Sequence, residues 1–245
     1  MTYTTAALVG VAGGVGTTRT TLEAAAALAA DGADVVVLDA AYATQGLGDY
    51  LPGRIDPDLT TLVTDRAEEP LSVGLIDLDA GTDGRVACCP VDAPFERLAR
   101  AKGVEAARRF EGRIEAATAT FDHVLVDVPP VASNQAVAAV TTCERVGAVA
   151  PVGDRGADAT ARLRERLADL GTAADVLVAT GGTDESGAAD VVLPETEATV
   201  PGCLTDERYG RAIVRLVAEL VERDVAAVGE SNGLLGGVGG MFRRQ

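Results

Sequence analysis

The densest set of groups able to do chemistry lies near the start of the chain, in Gly10-Val-Ala-Gly13-Gly14-Val15-Gly16-Thr17-Thr18-Arg19. An apolar run, Ala6–Val11, leads into it and a helical pattern follows it directly. A glycine-rich turn that opens a helix presents backbone N–H groups and the positive end of the helix dipole to an anion. Gly13, Gly14 and Gly16 let that backbone come close to phosphates. Thr18 holds the position whose hydroxyl meets Mg²⁺ in such loops, but Thr17 stands where the G-K-[ST] pattern requires lysine. That lysine is a point charge on the terminal phosphates. Without it, a nucleotide must rest on backbone amides and metal. Arg19 can compensate in part, although it stands on the helix and can point away. The same pattern also suits a tight strand-to-helix turn that binds nothing.

A second carboxylate-bearing run is His123-Val-Leu-Val-Asp127, stopped by Pro129 and Pro130. A buried Asp at the end of a strand is costly unless it is paired or lies near metal. No Ser/His/Asp arrangement and no metal-ligand spacing accompanies these residues. The single histidine, His123, reads as structural. The four cysteines are Cys88, Cys89, Cys143 and Cys203, and none forms a C-x-x-C pair. Cys88 and Cys89 are neighbours in a strand pattern and point to opposite faces. They read as small core residues of a reducing compartment.

The elements that must position these residues alternate between short β-branched runs and helical patterns, the signature of a parallel sheet with crossover helices. Strands are expected at Ala6–Val11, Asp34–Asp39, Leu71–Leu78, Arg85–Pro90, Asp122–Asp127, Arg145–Ala150, Asp175–Thr180 and Asp190–Leu193. Helices are expected at Thr17–Ala30, Asp58–Thr64, Val104–Ala119, Asn134–Thr142, Ala157–Leu170 and Asp206–Arg223. The expected class is α/β: a doubly wound, mainly parallel sheet of about seven or eight strands with helices on both faces. One domain covers 1–225, and 226–245 is a linker and glycine-rich amphipathic tail. The strands ending at Val11, Asp39 and Asp127 are the most continuously apolar and belong side by side at the centre, where ligands bind at strand carboxyl ends.

On these residues the chain resembles the ParA/MinD family of deviant-Walker P-loop ATPases, whose loop reads KGGxGK[ST]. Here Ala12 replaces the signature lysine, which in that family crosses a dimer interface to the partner's nucleotide, and Thr17 replaces the loop lysine. The family's D-x-D after the second strand reads Asp39-Ala40-Ala41. The resemblance gives Asp39 a role in orienting water around Mg²⁺, while the carboxylate that activates the hydrolytic water is missing at Ala41. Asp127 fits the Walker B position. The Asn that reads adenine is absent after Val176–Thr180. The likeness spans residues 6 to about 224.

The resemblance therefore implies ATP and Mg²⁺ as ligands. Gly13, Gly14, Val15, Gly16, Thr17, Thr18 and Arg19 would hold the nucleotide, and Thr18, Asp39 and Asp127 the metal. No catalytic residue is assigned beyond Asp39 as a candidate. It also implies a homodimer and an intracellular positioning or partitioning role with slow or absent hydrolysis. Lysine loss with G-G-V-G retained is most similar to the CpaE/TadZ branch. The alternative is a nucleotide-free pseudo-ATPase scaffold that acts through protein–protein contacts.

Net charge is −16, with Lys102 the only lysine. Such an excess of carboxylates points to a salt-loving source, where they keep the surface hydrated. It argues against broad electrostatic binding to nucleic acid, an argument that high salt weakens by screening. No signal peptide is expected, and no apolar run approaches the roughly 20 residues of a membrane span, so a cytoplasmic protein is expected. In the tail, Leu234, Leu235, Val238, Met241 and Phe242 share one helical face closed by Arg243 and Arg244. Residues 234–244 are thus a candidate for docking on a membrane surface or a protein partner.

Overall fold

A computed structural model of the chain describes residues 4–183, 189–222 and 225. Its frame is one eight-stranded sheet in the order β3-β4-β2-β5-β1-β6-β7-β8. The three most apolar runs do lie together at its centre. These are β2 (Val35–Asp39), β5 (His123–Val128) and β1 (Thr4–Gly10). They are parallel, with Asp39 opposite Asp127 in one pair and Leu8 opposite Asp127 in the other. Strands β6 (Arg145–Pro151), β7 (Val176–Thr180) and β8 (Val191–Leu193) extend the parallel sheet on one side, and β4 (Val86–Cys89) on the other.

Burial on both faces explains why these strands read as unbroken apolar runs rather than as alternating ones. Val36, Leu38, Val124 and Val126 enter one core with α2 (Leu59–Val63), α3 (Phe95–Ala101), α4 (Val104–Ala117), α5 (Asn134–Thr142) and α6 (Asp154–Asp169). Val35, Val37 and Leu125 enter the other, with α1 (Thr17–Ala30) and α7 (Glu207–Val221). Cys88 and Cys89 divide between the two cores as the two-residue period of a strand requires. In α1, ten residues from Thr20 to Ala29 are buried, so this alanine-rich helix is enclosed nearly all round.

Two expectations need correction. The strand expected over Leu71–Leu78 is a 3₁₀ turn at Leu71–Gly74 and a three-residue β3, Ile76–Leu78, antiparallel to β4 at the sheet edge. Pro70 at the start of the turn lacks a ladder donor. A Cβ on Gly74 would meet Leu62 at 2.7 Å, so the backbone there approaches α2 more closely than a strand residue could. Helix α3 was not expected at all. It starts after Pro94 and buries only Leu98 and Ala101, too sparse a stripe to register as a period. The linker and tail at 226–245, including the amphipathic 234–244, lie outside the described residues. Among the described residues no helix is long and apolar enough to cross a membrane.

Candidate functional site

The site forms where β1 hands over to α1. Gly16 is the N-cap of α1 and has φ of 85°, and Gly14 has φ of 74°. That left-handed region strains any residue with a Cβ, so the loop's path depends on glycine at both places. No side chain caps α1, and its first turn has no acidic residue. The positive helix end is left to an external anion. Thr17 does not face that space alone: a Cβ on Gly10 would come within 2.4 Å of its Oγ1, so the Thr17 hydroxyl sits against the end of β1.

Thr18 Oγ1 donates to Asp127 Oδ2 at 2.6 Å, across 109 residues of sequence. The loop hydroxyl and the strand-end carboxylate are therefore brought together. Asp39, in register with Asp127, is fully buried, and Asp127 is 1% exposed. The two carboxyl oxygens of Asp39 accept N–H bonds from Ala41 at 2.8 Å and from Val91 at 3.1 Å. Asp39 thus ties the end of β2 to the segment after β4. Burial pushes the pKa of both carboxyls up. For Asp39 the neighbouring Asp127 adds to this, while its two backbone N–H bonds oppose it. For Asp127 the Thr18 hydroxyl opposes it. Two buried carboxyls in register, with no ion pair to a basic side chain among the described residues, are an arrangement that a divalent ion would relieve.

A cavity of about 360 Å³ opens at Asp127, lined also by Gly13, Gly14, Gly16, Thr17, Thr18, Arg19, Ala41 and Pro129 among others, while Asp39 is buried behind it and does not line it. Across Gly16 lies a second cavity of about 400 Å³, lined by Val15, Arg19, Thr180, Leu193, Glu195 and Tyr209. Arg19 touches both cavities, but its guanidinium is committed to the second side. Its Nη2 donates to the Ala198 carbonyl at 2.5 Å, its Nε lies 3.5 Å from Glu23 Oε1, and its carbon sits 5.5 Å from the centre of the Tyr209 ring. It points away from the glycine loop. Val15 turns its carbonyl to the Thr180 hydroxyl at 3.1 Å.

Glu23 was not singled out by sequence reasoning. It is fully buried on α1 and accepts from the Gly202 and Cys203 amides at 2.9 and 2.7 Å. With Arg19 it fastens the 194–205 segment over the helix. The signal was there to read: one carboxylate inside the buried run Leu22–Ala29 has to be satisfied by something.

No protein-family model matches the chain, and no curated protein sequence does. Solved structures do. The septum site-determining protein MinD of Pyrococcus horikoshii OT3, complexed with Mg-ADP, aligns over 89% of this chain and 96% of its own, at 17% identity and a TM-score of 0.70. The chain has the MinD fold. A MinC:MinD complex of Aquifex aeolicus gives 18% identity and a TM-score of 0.70 over 91% of this chain and 97% of that one. Cobyrinic acid a,c-diamide synthase of Mycobacterium smegmatis, with a bound ATP analog and magnesium, gives 16% and 0.69 over 94% of this chain and 100% of its own. These likenesses extend over an α/β P-loop architecture that this chain reproduces from β1 to α7.

The residues present fit a magnesium nucleotide in part. The loop amides and the open end of α1 suit phosphates, and Thr18 with Asp127 suits a hydrated divalent ion. Position 17 is threonine and position 41 alanine, so neither brings a charge to the cavity they line. Asp39 would act at the metal only through lone pairs left over from its two amide bonds.

Proposed function

We propose that the chain is a MinD-like positioning factor that takes up Mg-ATP at the 10–19 loop and hydrolyses it slowly or not at all. One observation carries this reading. The Thr18–Asp127 contact at 2.6 Å lies beneath a loop whose left-handed glycines are retained, while Thr17 and Ala41 stand where charge is needed. Bound ATP would supply a ligand-dependent state, and with it a nucleotide-dependent homodimer, without rapid turnover. Losing charge stabilisation of a transferring phosphoryl group costs orders of magnitude in rate.

A second reading is a nucleotide-free scaffold. It is favoured by the completeness of the site without ligand, since Thr18 satisfies Asp127 and backbone amides satisfy both oxygens of Asp39. Calorimetry with Mg-ATP on the full chain in molar KCl separates the two. Measurable heat with negligible phosphate release supports the first, and no heat supports the second. Turnover near about one per second, abolished by Asp127→Ala, would overturn both. Restoring Thr17→Lys and Ala41→Asp together is expected to raise phosphate release if the rest of the site is competent. The tail is a further part of the proposal. Pelleting with anionic liposomes, comparing the full chain with one ending at Asn232, tests whether 234–244 docks on a membrane.

A further inference from the structure

Position 12, at the edge of the glycine loop, has alanine, and Arg19 is turned away, so the loop has no cation of its own facing a phosphate. A cation does stand beside it on another element. Helix α6 packs against the segment that follows β5, where Arg166 Nη1 donates to the Val131 carbonyl at 2.6 Å. One turn closer to the start of α6 is Arg162. It lines a small cavity of about 60 Å³ with Gly10 and Val11 of the loop's first arm and with Pro130 and Val131. Pro130 also lines the larger cavity over Thr18 and Asp127. The N-terminal end of α6 lies at the carboxyl edge of the sheet, because the helix runs back from the end of β6. Arg162 is therefore on the nucleotide side of the Arg166 anchor.

Arg162 is exposed. Asp158 stands at i−4, yet among the described residues no ion pair or hydrogen bond holds the Arg162 guanidinium. Arg155 and Arg164 on the same helix are equally without a partner among the described residues, but of the three only Arg162 lines a cavity with the first arm of the loop. Guanidinium is also the group best shaped to take two phosphate oxygens at once.

We propose that Arg162 supplies the positive charge to the terminal phosphates of a nucleotide at the 10–19 loop, in place of the lysines absent at positions 12 and 17. This rests on the nucleotide reading above. It makes α6, rather than the loop, the source of the charge. Arg162 contributes affinity for ATP over ADP, because the group farthest from the loop amides gains most from it.

The test is calorimetric titration of the full chain with Mg-ATP and with Mg-ADP. Arg162→Ala is expected to weaken Mg-ATP about tenfold, the factor that roughly 1.4 kcal/mol represents, and Mg-ADP much less. Arg162→Lys keeps most of the ATP affinity. Arg164→Ala removes an exposed arginine that lines a different cavity with Leu177 and Ala179, and it leaves both affinities unchanged. An unaltered thermal midpoint for Arg162→Ala would separate a binding loss from unfolding. If Arg162→Ala binds Mg-ATP as the wild type does, or if Arg164→Ala loses as much, the proposal fails and the nucleotide reading stands. If the wild type binds neither nucleotide, that reading fails and this one with it.

Discussion

The two sides of the first turns of α1 have the same fold beneath them and very different degrees of commitment. On the side of Thr18, Asp39 and Asp127, carboxylates face one another with one hydroxyl between loop and strand. On the side of Glu23, Arg19 and Tyr209, an ion pair between buried Glu23 and partly exposed Arg19, two amide bonds to the carboxylate and a ring contact hold a long connection in place. The first side leaves two buried carboxyls without a cationic side-chain partner among the described residues, while the second is a closed network. The difference teaches that the fold places its densest polar contacts in the connection over α1 and leaves the loop side with two carboxyls and one hydroxyl, the side that a ligand would complete.

The sharpest way to break this contrast is at Glu23. Glu23→Ala would leave the Gly202 and Cys203 amides without their acceptor and the Arg19 guanidinium without its carboxylate. Removing one partner of a buried charged pair costs about 3–5 kcal/mol. We expect urea unfolding of Glu23→Ala to show a loss near the lower end of that range, because Arg19 retains the Ala198 carbonyl. A loss under about 1 kcal/mol, the scale of an exposed pair, would mean that the network is incidental and the contrast is not real.

Much of this architecture is legible in the sequence, and for physical reasons. Strands buried on both faces must be apolar throughout, so β1, β2 and β5 and their central placement could be read from composition. The loop could be read because only glycine tolerates its path. Thr18, Asp127 and Asp39 were singled out and do converge. What escaped are the long-range contacts that no motif announces. Glu23 finds its partners 179 and 180 residues away, and nothing local announces them. The direction of Arg19 was left open because a helix position alone cannot say which of two cavities its side chain enters. Helix α3 and the short β3 escaped because each buries too little to leave a period.

The carboxylate side can be tested from the opposite direction, since there a substitution should stabilise. Burial and, for Asp39, the neighbouring carboxyl raise both folded pKa values above the ordinary 3.8. Such a group binds its proton longer in the folded state than in the unfolded one. Its contribution to stability is therefore most favourable below 3.8 and is lost as pH rises through the raised values. Asp127→Asn keeps an acceptor for the Thr18 hydroxyl and removes one charge. In the absence of nucleotide it should exceed the wild type at pH 7 by on the order of 1–2 kcal/mol, each pKa unit counting for about 1.4, and the gain should fade near pH 4. If Asp127 holds the metal as proposed, saturating Mg-ATP should reverse the order, because the variant lacks that carboxylate. Thermal scans across pH, with and without ligand, read both effects. A variant less stable than the wild type at neutral pH without ligand would show that the carboxylates do not repel.

The smallest expected effect lies where the two sides meet. Thr180 ends β7, lines the second cavity, and donates its one hydroxyl proton toward the Val15 carbonyl at 3.1 Å, with the Ala150 carbonyl at 3.3 Å. It is the link between the well-held side and the glycine loop. Thr180→Val preserves shape and removes that bond, and a typical net hydrogen bond contributes about 0.5–1.5 kcal/mol. Thr180 is only half-buried, so water can reach the freed carbonyl, and the loss should sit near the bottom of that range. If the loop is held open for ligand by its neighbours, Mg-ATP affinity should fall with it by a few-fold, through faster release. A stability loss without any change in affinity would show that the glycines alone set the loop, and that the two sides of α1 are independent. A loss above about 2 kcal/mol, beyond the usual worth of a neutral hydrogen bond, would mean that the loop depends on the second side for its structure as well as for its ligand.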